Sequence, residues 1–507
     1  MGQSGKNWTD GYVTNIDYSF DYFREMNPLS VKYSLISAGF LPPSMSSCCE
    51  LGFGQGVSLV LHAVGSASNW SGNDFNPNHV LNAQTLRDFS DEEIYLTEAG
   101  FQELENQSWQ KLDYICLHGV WSWISKANRD SILSFIQKNL NVGGVLYISY
   151  NTIAGHAPMI AFRDIFREHI HFVSTKQSKD RTRPYDALLK EFGEIDSKFM
   201  AAYPKFKNTL NSLSKSSENY IAHEYLNNDW HPMNFSTIGE MLEGIKLSFA
   251  TSATGSDRIM DVNFTRGQQE FLESCQGNKL KETVKDVFKN NQFRRDLWLK
   301  GAISLKKTER NKLLGEMRIM MVKPKGELKL SISGAIGTAK LQEKVYLPLV
   351  ENMKDYRRVA ISEIGSAVSG VISFEQLLEA VDILIAKGDI VVVNTDQVIK
   401  KASPSCIKFN SYIIDQALEN SKFHFMASPV TGGGIYVGLT EILIIAAERR
   451  GKKDGRQISA FIMENLQRTS RILNNDNRPL TDEAELKKYL NDRIKHYKEE
   501  RKKLFQA

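Results

Sequence analysis

The feature that most constrains the fold is a run of three glycines spaced two apart, in Glu50-Leu51-Gly52-Phe53-Gly54-Gln55-Gly56. Glycines at alternate positions let the backbone turn sharply out of a strand and approach a ligand with no Cβ in the way. The apolar residues 57–62 predict a helix whose free N–H groups face this turn. Asp74 closes a predicted second strand about 20 residues later, where its carboxylate can hydrogen-bond ribose hydroxyls. The stretch therefore predicts a nucleoside-binding βαβ unit.

Strand and helix patterns continue to alternate after Asp74. Short apolar runs predict strands at 93–97, 113–118 and 145–150, and helical periodicity lies between them at 79–87, 101–109 and 128–140. Strands separated by helices of this length are typical of an α/β, doubly wound and mainly parallel sheet. Because such sheets bind ligands beyond the carboxyl ends of their strands, the site is expected at those ends.

The composition narrows the class of protein. The 507 residues carry a net charge of only +4, which gives no reason to expect nucleic acid as a partner. Five scattered cysteines argue against a disulfide framework and favour a cytoplasmic location, and they lack metal-ligand spacing, so we expect no metal. The N-terminus has no signal-peptide pattern and no stretch is long and apolar enough to span a bilayer, so stable membrane insertion is not expected.

The glycine-rich stretch resembles a motif of a known enzyme class. Residues 50–56 are similar to motif I of the class I S-adenosylmethionine-dependent methyltransferases, and Asp74 matches their ribose-binding acid. Residues 140–144, Leu-Asn-Val-Gly-Gly, resemble their turn before the fifth strand. Spacing alone does not separate this class from an NAD-binding fold. The Gly-Gly turn and the aromatic end of the fourth strand favour methyl transfer.

Further segments resemble bacterial methyltransferases that carry a methyltransferase regulatory domain. Those in the catalytic part are 17–28, 117–124 and 147–152, and those in the regulatory part are 223–227 and 293–296. The family includes lysine methyltransferases that act on outer-membrane proteins. The resemblance implies a Rossmann-like class I methyltransferase sheet with S-adenosylmethionine as cofactor.

Three domains are predicted along the chain. Residues 1–215 form the methyltransferase domain with an N-terminal lid, and residues 216–325 form a mainly helical middle domain, the regulatory domain. Residues 326–507 form a C-terminal α+β domain for interactions, because the helices and short strands between 371 and 393 are typical of a winged-helix-like module. The tail 481–507 has an apolar helix face that predicts docking. The oligomeric state is left open, with a homodimer as one option.

Two groups of residues are predicted to form the site. The resemblance assigns cofactor binding to the following residues: Tyr18, Glu50, Gly52, Gly54, Gly56, Asp74, Phe75, Ala99 and His118. The ends of the fourth and fifth strands are predicted to supply these acceptor-side, catalytic residues: His118, Trp121, Tyr150 and Asn151. His223 and Tyr225 are added only by the resemblance. The five aromatic rings from Tyr12 to Phe23 predict either a lid over the ligand or an arm packed on the surface.

The sequence leaves three functions open. Methylation of a protein lysine is the leading one, because an amine that has lost its proton needs only alignment with the methyl group in a dry site. Methylation of a sugar or lipid-linked saccharide hydroxyl is the second, with His118 as the base that a hydroxyl needs. The third is an adaptor that binds S-adenosylmethionine without transferring its methyl group.

Overall fold

The structure is a computed structural model that describes residues 20–175, 186–216, 227–419, 423–475 and 478–506. Its centre is a seven-stranded sheet with the strand order β3-β2-β1-β4-β5-β7-β6. These strands are β1 (Ser47–Leu51), β2 (Asn69–Asp74), β3 (Tyr95–Glu98), β4 (Leu112–Leu117), β5 (Leu140–Asn151), β6 (Leu247–Ser252) and β7 (Phe293–Lys300). The first five strands pair in parallel, and β7 runs antiparallel between β5 and β6.

Helices connect the strands and cover both faces of the sheet. Helix α1 (Pro28–Ser37) precedes β1, and the helices that follow strands of the sheet are α2 (Val57–Gly65), α3 (Pro77–Asp88), α4 (Lys126–Asn139) and α5 (Ile153–Thr175). The helices from there to β7 are Asp186–Glu194, Lys198–Ala202, Phe206–Leu213, Phe235–Gly244, Met260–Asn263, Arg266–Ser274 and Asn278–Lys289. Asn27, Asn76 and Ser125 cap α1, α3 and α4 by accepting a backbone N–H from the first turn, as these residue types do at helix starts.

The two faces of the sheet belong to two apolar clusters because side chains alternate along each strand. Cys48 and Tyr147 pack on the face that α2 and the C-terminal region cover. Cys49 and Ile148, their immediate neighbours in the chain, pack on the opposite face against α4 and Phe235–Gly244. The parallel strands are therefore apolar on both sides, as buried parallel sheets are.

The middle segment predicted at 216–325 supplies part of this sheet. Both β6 and β7 come from it, and β7 pairs with β5 over residues 145–151. The segment is mainly helical outside those strands, which agrees with the predicted class of fold. The predicted boundaries at 215 and 325 stay predictions.

The C-terminal region combines helices with small sheets. Its main sheet has three antiparallel strands, which are Val359–Ala360, Ile390–Val393 and, between them, Arg318–Met321 from the end of the middle segment. Two-stranded hairpins pair Ser331–Gly334 with Gly337–Lys340, Phe425–Ser428 with Gly433–Tyr436, and Asn474–Asn475 with Arg478–Pro479. The middle segment ends with the helix Lys307–Glu316 and the strand already given, and the helices of the C-terminal region are Glu343–Asn352, Ile361–Val368, Phe374–Lys387, Asp396–Glu419, Leu439–Arg449, Gly455–Arg468, Glu483–His496 and Lys502–Gln506. This α+β composition confirms the predicted class.

One local prediction is wrong, and the apolar face predicted on the tail helix has its partner within the chain. The segment 101–109 is not a regular helix, because only the 3-10 turn Glu103–Asn106 forms there. The tail helix Glu483–His496 docks on its own chain, where Leu490 and Ile494 are buried in the core that the sheet and the C-terminal region share. No helix in the described ranges is both long and apolar enough to cross a bilayer.

Candidate active site

The glycine turn has the backbone geometry that the sequence predicts. Gly52, Gly54 and Gly56 have φ values of +68°, +57° and +75°, a region that favours glycine because it has no Cβ. A Cβ on Gly52 would lie 2.8 Å from Val120 Cγ2, and one on Gly56 would lie 2.5 Å from Ala83 Cβ. The turn thus leads from β1 into α2 with no room for a larger side chain at Gly52 or Gly56.

Asp74, at the carboxyl end of β2, is bonded directly to this turn. The Gly54 N–H donates to Asp74 Oδ2 at 2.8 Å, and the Asn76 N–H donates to Asp74 Oδ1 at 2.9 Å. His79 Nδ1 lies 3.2 Å from the same Oδ1. These bonds fix the Asp74 carboxylate beside the glycine turn, where it can accept hydrogen bonds from ribose hydroxyls. Asn76 and His79 were missed by the sequence reasoning, although both follow Asp74 closely.

Glu50 is a second acid at the same end of the sheet. It is 4% exposed, and its Oε2 has no hydrogen-bond partner among the described residues. Burial, and next the nearby Asp74, raise the pKa of Glu50 to about 8. A buried carboxyl group without a partner is costly unless a cation or a donor approaches it. Glu50 therefore fits the ammonium group of the amino-acid part of S-adenosylmethionine.

The end of β3 completes this half of the site. The Ala99 N–H donates to the carbonyl oxygen of Asp74 at 3.0 Å, and Asn73 Nδ2 donates to the Ala99 carbonyl at 2.9 Å. Phe75 is half-buried, and the Phe101 ring lies 3.5 Å from where a Cβ on Gly52 would stand. Phe101 thus lies beside the glycine turn, although the sequence analysis assigned it no role in the site.

His118, directly after β4, is held in an aromatic environment. Its Nδ1 lies 2.8 Å from the Tyr147 hydroxyl, and the Phe23 ring stacks on it at a centroid distance of 3.9 Å. The Phe293 ring meets it edge-on at 5.6 Å. Burial, and next the charge of Arg295, lower the pKa of His118 to about 3. The imidazole is therefore neutral at physiological pH.

The N-terminal segment reaches the site through Phe23. Besides stacking on His118, Phe23 donates its backbone N–H to Ser58 Oγ, in the first turn of α2, at 2.9 Å. Tyr22, beside it, lies with its hydroxyl 3.2 Å from His62 Nε2. Tyr18, predicted to bind the cofactor, lies outside the described residues, as do His223 and Tyr225. The lid therefore stays a prediction for which Phe23 supplies the described contact.

Trp121 and Tyr150 do not share a surface with His118. Trp121 is fully buried in the cluster on the opposite face of the sheet. Tyr150 lies in that same cluster and donates its hydroxyl to Asp296 Oδ2 at 2.8 Å. Both side chains are buried in that core in this structure, and their predicted catalytic roles stay predictions.

Asn151 lies at the end of β5, and its side chain is on the same face of the strand as that of Tyr147. Its backbone N–H donates to Ser122 Oγ at 2.9 Å, and its carbonyl accepts the Met233 N–H at 2.9 Å. Its side-chain Nδ2 lies 3.3 Å from Nε2 of His156, a residue that the sequence reasoning missed. A histidine one turn into the helix after β5 is the signal that could have found it.

The sequence of this chain is similar to one family model and to several known proteins. A family model described as a predicted methyltransferase regulatory domain matches residues 217–300. The uncharacterized protein sll1526 of Synechocystis sp. is 30% identical over 503 residues, which are 97% of this chain and 98% of that protein. The Rickettsia prowazekii protein RP028 is 30% identical over 193 residues, 37% of this chain and 76% of that protein.

A solved structure matches nearly the whole chain. PKMT2 from Rickettsia typhi in complex with AdoHcy has a TM-score of 0.68 and 18% identity, and the match covers 94% of this chain and 97% of that one. The fold class, the enzyme class and the cofactor predicted from the sequence agree with this match and with the regulatory-domain model. The chain belongs to the same family as sll1526, it has the fold of the class I S-adenosylmethionine-dependent methyltransferases, and its residues 217–300 match the methyltransferase regulatory domain.

Proposed function

We propose that this protein transfers the methyl group of S-adenosylmethionine to the side-chain amine of a lysine in a protein. The observation that carries the proposal is the state of His118, the histidine predicted at the acceptor end of β4. The pKa of its imidazole is lowered to about 3. An efficient general base has a pKa near the working pH. His118 is thus poorly suited to deprotonate a hydroxyl, whereas an amine does not need it.

The residues at the carboxyl ends of β1 and β2 fit the cofactor. The left-handed glycine turn allows the backbone to approach it, Asp74 can accept from its ribose hydroxyls, and Glu50 can pair with its ammonium group. When bound, S-adenosylmethionine supplies a methyl group already activated by the positive sulfur. The protein then needs to bind, align and desolvate the acceptor.

The acceptor end of the sheet is suited to that task. Phe23 and Phe293 enclose His118, and the neutral ring adds no positive charge beside an incoming amine. Aromatic faces attract cationic groups, and desolvation near a positive sulfur lowers the pKa of a lysine amine, which favours its reactive neutral form. The likeness in fold to PKMT2, whose structure holds AdoHcy, also supports S-adenosylmethionine as the methyl donor.

The test is to incubate the protein with labelled S-adenosylmethionine and cell extract, and to identify the methylated group by mass spectrometry. We expect methyl-lysine, and we expect His118→Ala to lower turnover only modestly because the imidazole positions and does not abstract a proton. His496→Ala is the matched control, since that imidazole pairs with Glu327 at 3.1 Å in the C-terminal region.

Two results would contradict the proposal. A methylated sugar hydroxyl, together with a loss on the order of 100- to 10,000-fold in His118→Ala at unchanged cofactor affinity, would establish general-base O-methylation. Cofactor binding without turnover on any extract would favour the adaptor.

A further inference from the structure

His156 lies in the first turn of α5 and contacts the end of β5 with both ring nitrogens. Its Nδ1 is 3.1 Å from the Thr152 carbonyl oxygen, and its Nε2 is 3.3 Å from Asn151 Nδ2. A carbonyl oxygen only accepts hydrogen bonds, so Nδ1 carries the hydrogen. Burial lowers the pKa of His156, which keeps the ring neutral and leaves Nε2 with a lone pair. The Asn151 amide must therefore turn its NH2 group toward His156.

This tautomer determines where the other half of the Asn151 amide points. With Nδ2 donating to His156, the Asn151 Oδ1 faces away from the imidazole and accepts no hydrogen bond from the described residues. The backbone N–H and carbonyl of Asn151 are held by hydrogen bonds with Ser122 and Met233. Only the orientation of its side-chain amide therefore depends on His156. An acceptor oxygen is thus held at the carboxyl end of β5, the end at which such sheets bind ligands.

The surroundings of His156 hold its ring plane and contain few charges. The Trp230 ring meets it edge-on at 5.4 Å and stacks at 6.0 Å on Trp123. Arg163, on α5 itself, lies over the same Trp230 ring at 5.5 Å. In the segment that carries Trp230, His231 Nε2 lies 2.8 Å from Asp229 Oδ1. The aromatic packing restrains the imidazole in the orientation that the two hydrogen bonds need.

We propose that His156 is a positioning residue that orients the Asn151 amide, so that Asn151 Oδ1 accepts an N–H of the lysine amine during methyl transfer. This inference rests on the proposed function, because the hydrogen bond to Asn151 Oδ1 is assigned to the lysine amine that the proposed function names as acceptor. His156 itself does not act as a base, since its lone pair is occupied by Asn151 Nδ2. The amide oxygen suits an amine because it can accept a hydrogen without having to remove it.

The contact is expected to strengthen as the reaction proceeds. The amine nitrogen gains positive charge as its bond to the methyl carbon forms and the bond from carbon to sulfur breaks, so its N–H becomes a better donor. An interaction that is stronger in the transition state affects kcat more than KM. Loss of the correct amide orientation should therefore lower kcat and leave KM nearly unchanged.

The experiment is a double-mutant cycle on methylation of the protein acceptor. His156→Phe keeps an aromatic ring and removes both nitrogens, and we expect it to lower kcat about tenfold, the size of one net hydrogen bond. In the Asn151→Ala background the same change should have no further effect, because its partner is gone. His231→Gln is the matched control and should leave kcat unchanged. Equal losses in both backgrounds would overturn the proposal, since they would mean that His156 acts through packing alone.

A second measurement does not depend on activity. Nuclear magnetic resonance of the full chain with nitrogen-15 histidine should find His156 as the neutral tautomer protonated at Nδ1, and a tautomer protonated at Nε2 would overturn the proposal. The two proposals can fail separately. Methyl-lysine formation with an additive cycle refutes only the role of His156, whereas methylation of a hydroxyl with a coupled cycle refutes the lysine acceptor and keeps the positioning role.

Discussion

Glu50 should make cofactor binding depend on pH. Its pKa is raised to about 8 in the unliganded protein, so at pH 7 only about one molecule in ten carries the carboxylate. If that carboxylate pairs with the ammonium group of the ligand, the apparent affinity is reduced by the ionised fraction. Affinity should then rise about tenfold from pH 6 to 7, about fivefold from pH 7 to 8, and little above pH 9.

The assay is titration calorimetry with S-adenosylhomocysteine, which keeps the ammonium group. At pH 7, buffers of different ionisation enthalpy should report release of about 0.9 proton per ligand bound. Glu50→Gln is the control that should bind more weakly, release no proton and lose the pH dependence. If the slope and the proton release persist in Glu50→Gln, another group is responsible and the reasoning about Glu50 is wrong.

The same carboxyl group affects stability in the opposite direction. Because its pKa is higher in the folded than in the unfolded protein, the folded state binds more protons between pH 4.5 and about 8. The unliganded protein should therefore lose stability as pH rises through that window, by a few kcal/mol at most, and become insensitive above it. Glu50→Gln should unfold at a higher temperature than the wild type at pH 8 and lose that advantage below pH 4.5.

Three further changes test other parts of the site. Arg294→Met should destabilise the fold by about 3–5 kcal/mol, seen in thermal unfolding, because it leaves the two buried acids Asp286 and Asp296 without their cation; an unchanged transition would contradict this. Asp74→Ala should lower cofactor affinity roughly 10- to 150-fold in calorimetry, because a charge-assisted hydrogen bond is lost. Phe23→Ala, like deletion of residues 1–23, should speed cofactor release in stopped-flow experiments, because the ring on His118 is removed; unchanged release would reduce the segment to a packing arm.

The sequence predicts the cofactor half of the site better than the acceptor half, because the cofactor half is built from residues that interact through short-range turns. Gly52 and Asp74 act through short-range turns, whose geometry follows from residue type and spacing. Tyr150 and Asn151 were both placed at the site, yet neighbours in a strand point to opposite faces, and the structure puts Tyr150 in the opposite core. The role of His156 depends on a hydrogen-bonded tautomer, which no spacing reveals.

The strand order shows a second limit of prediction from the sequence. The pattern of alternating strands and helices predicts the parallel part of the sheet, because each unit closes on its neighbour in sequence. Strands β6 and β7 return to the sheet after a helical excursion of about a hundred residues. The antiparallel pairing of β7 with β5, and of β6 with β7, depends on contacts between residues far apart in the chain, such as Tyr150 with Arg294.

The region predicted as a separate C-terminal domain shares its core with the sheet. Phe409 and Ile413, on the helix Asp396–Glu419, lie in the same apolar cluster as Val60 of α2. Asn394 Nδ2 donates to the Gly65 carbonyl at 3.1 Å, and a Cβ on Gly65 would lie 2.5 Å from Gly433 N. The helix that receives the glycine turn is thus packed between the sheet and the C-terminal region. The two should unfold together.

Tryptophan fluorescence can test this cooperativity, because all seven tryptophans precede residue 326 and report on the methyltransferase and middle segments alone. Ile413→Ala removes a fully buried side chain and should destabilise the protein by about 2–5 kcal/mol. Under shared unfolding, its urea midpoint measured by tryptophan fluorescence falls although the mutation lies in the C-terminal region. Ile407→Ala is the control on the same helix, since that side chain is 62% exposed. A tryptophan transition that stays in place while the helical signal melts earlier would mean that the C-terminal region unfolds independently.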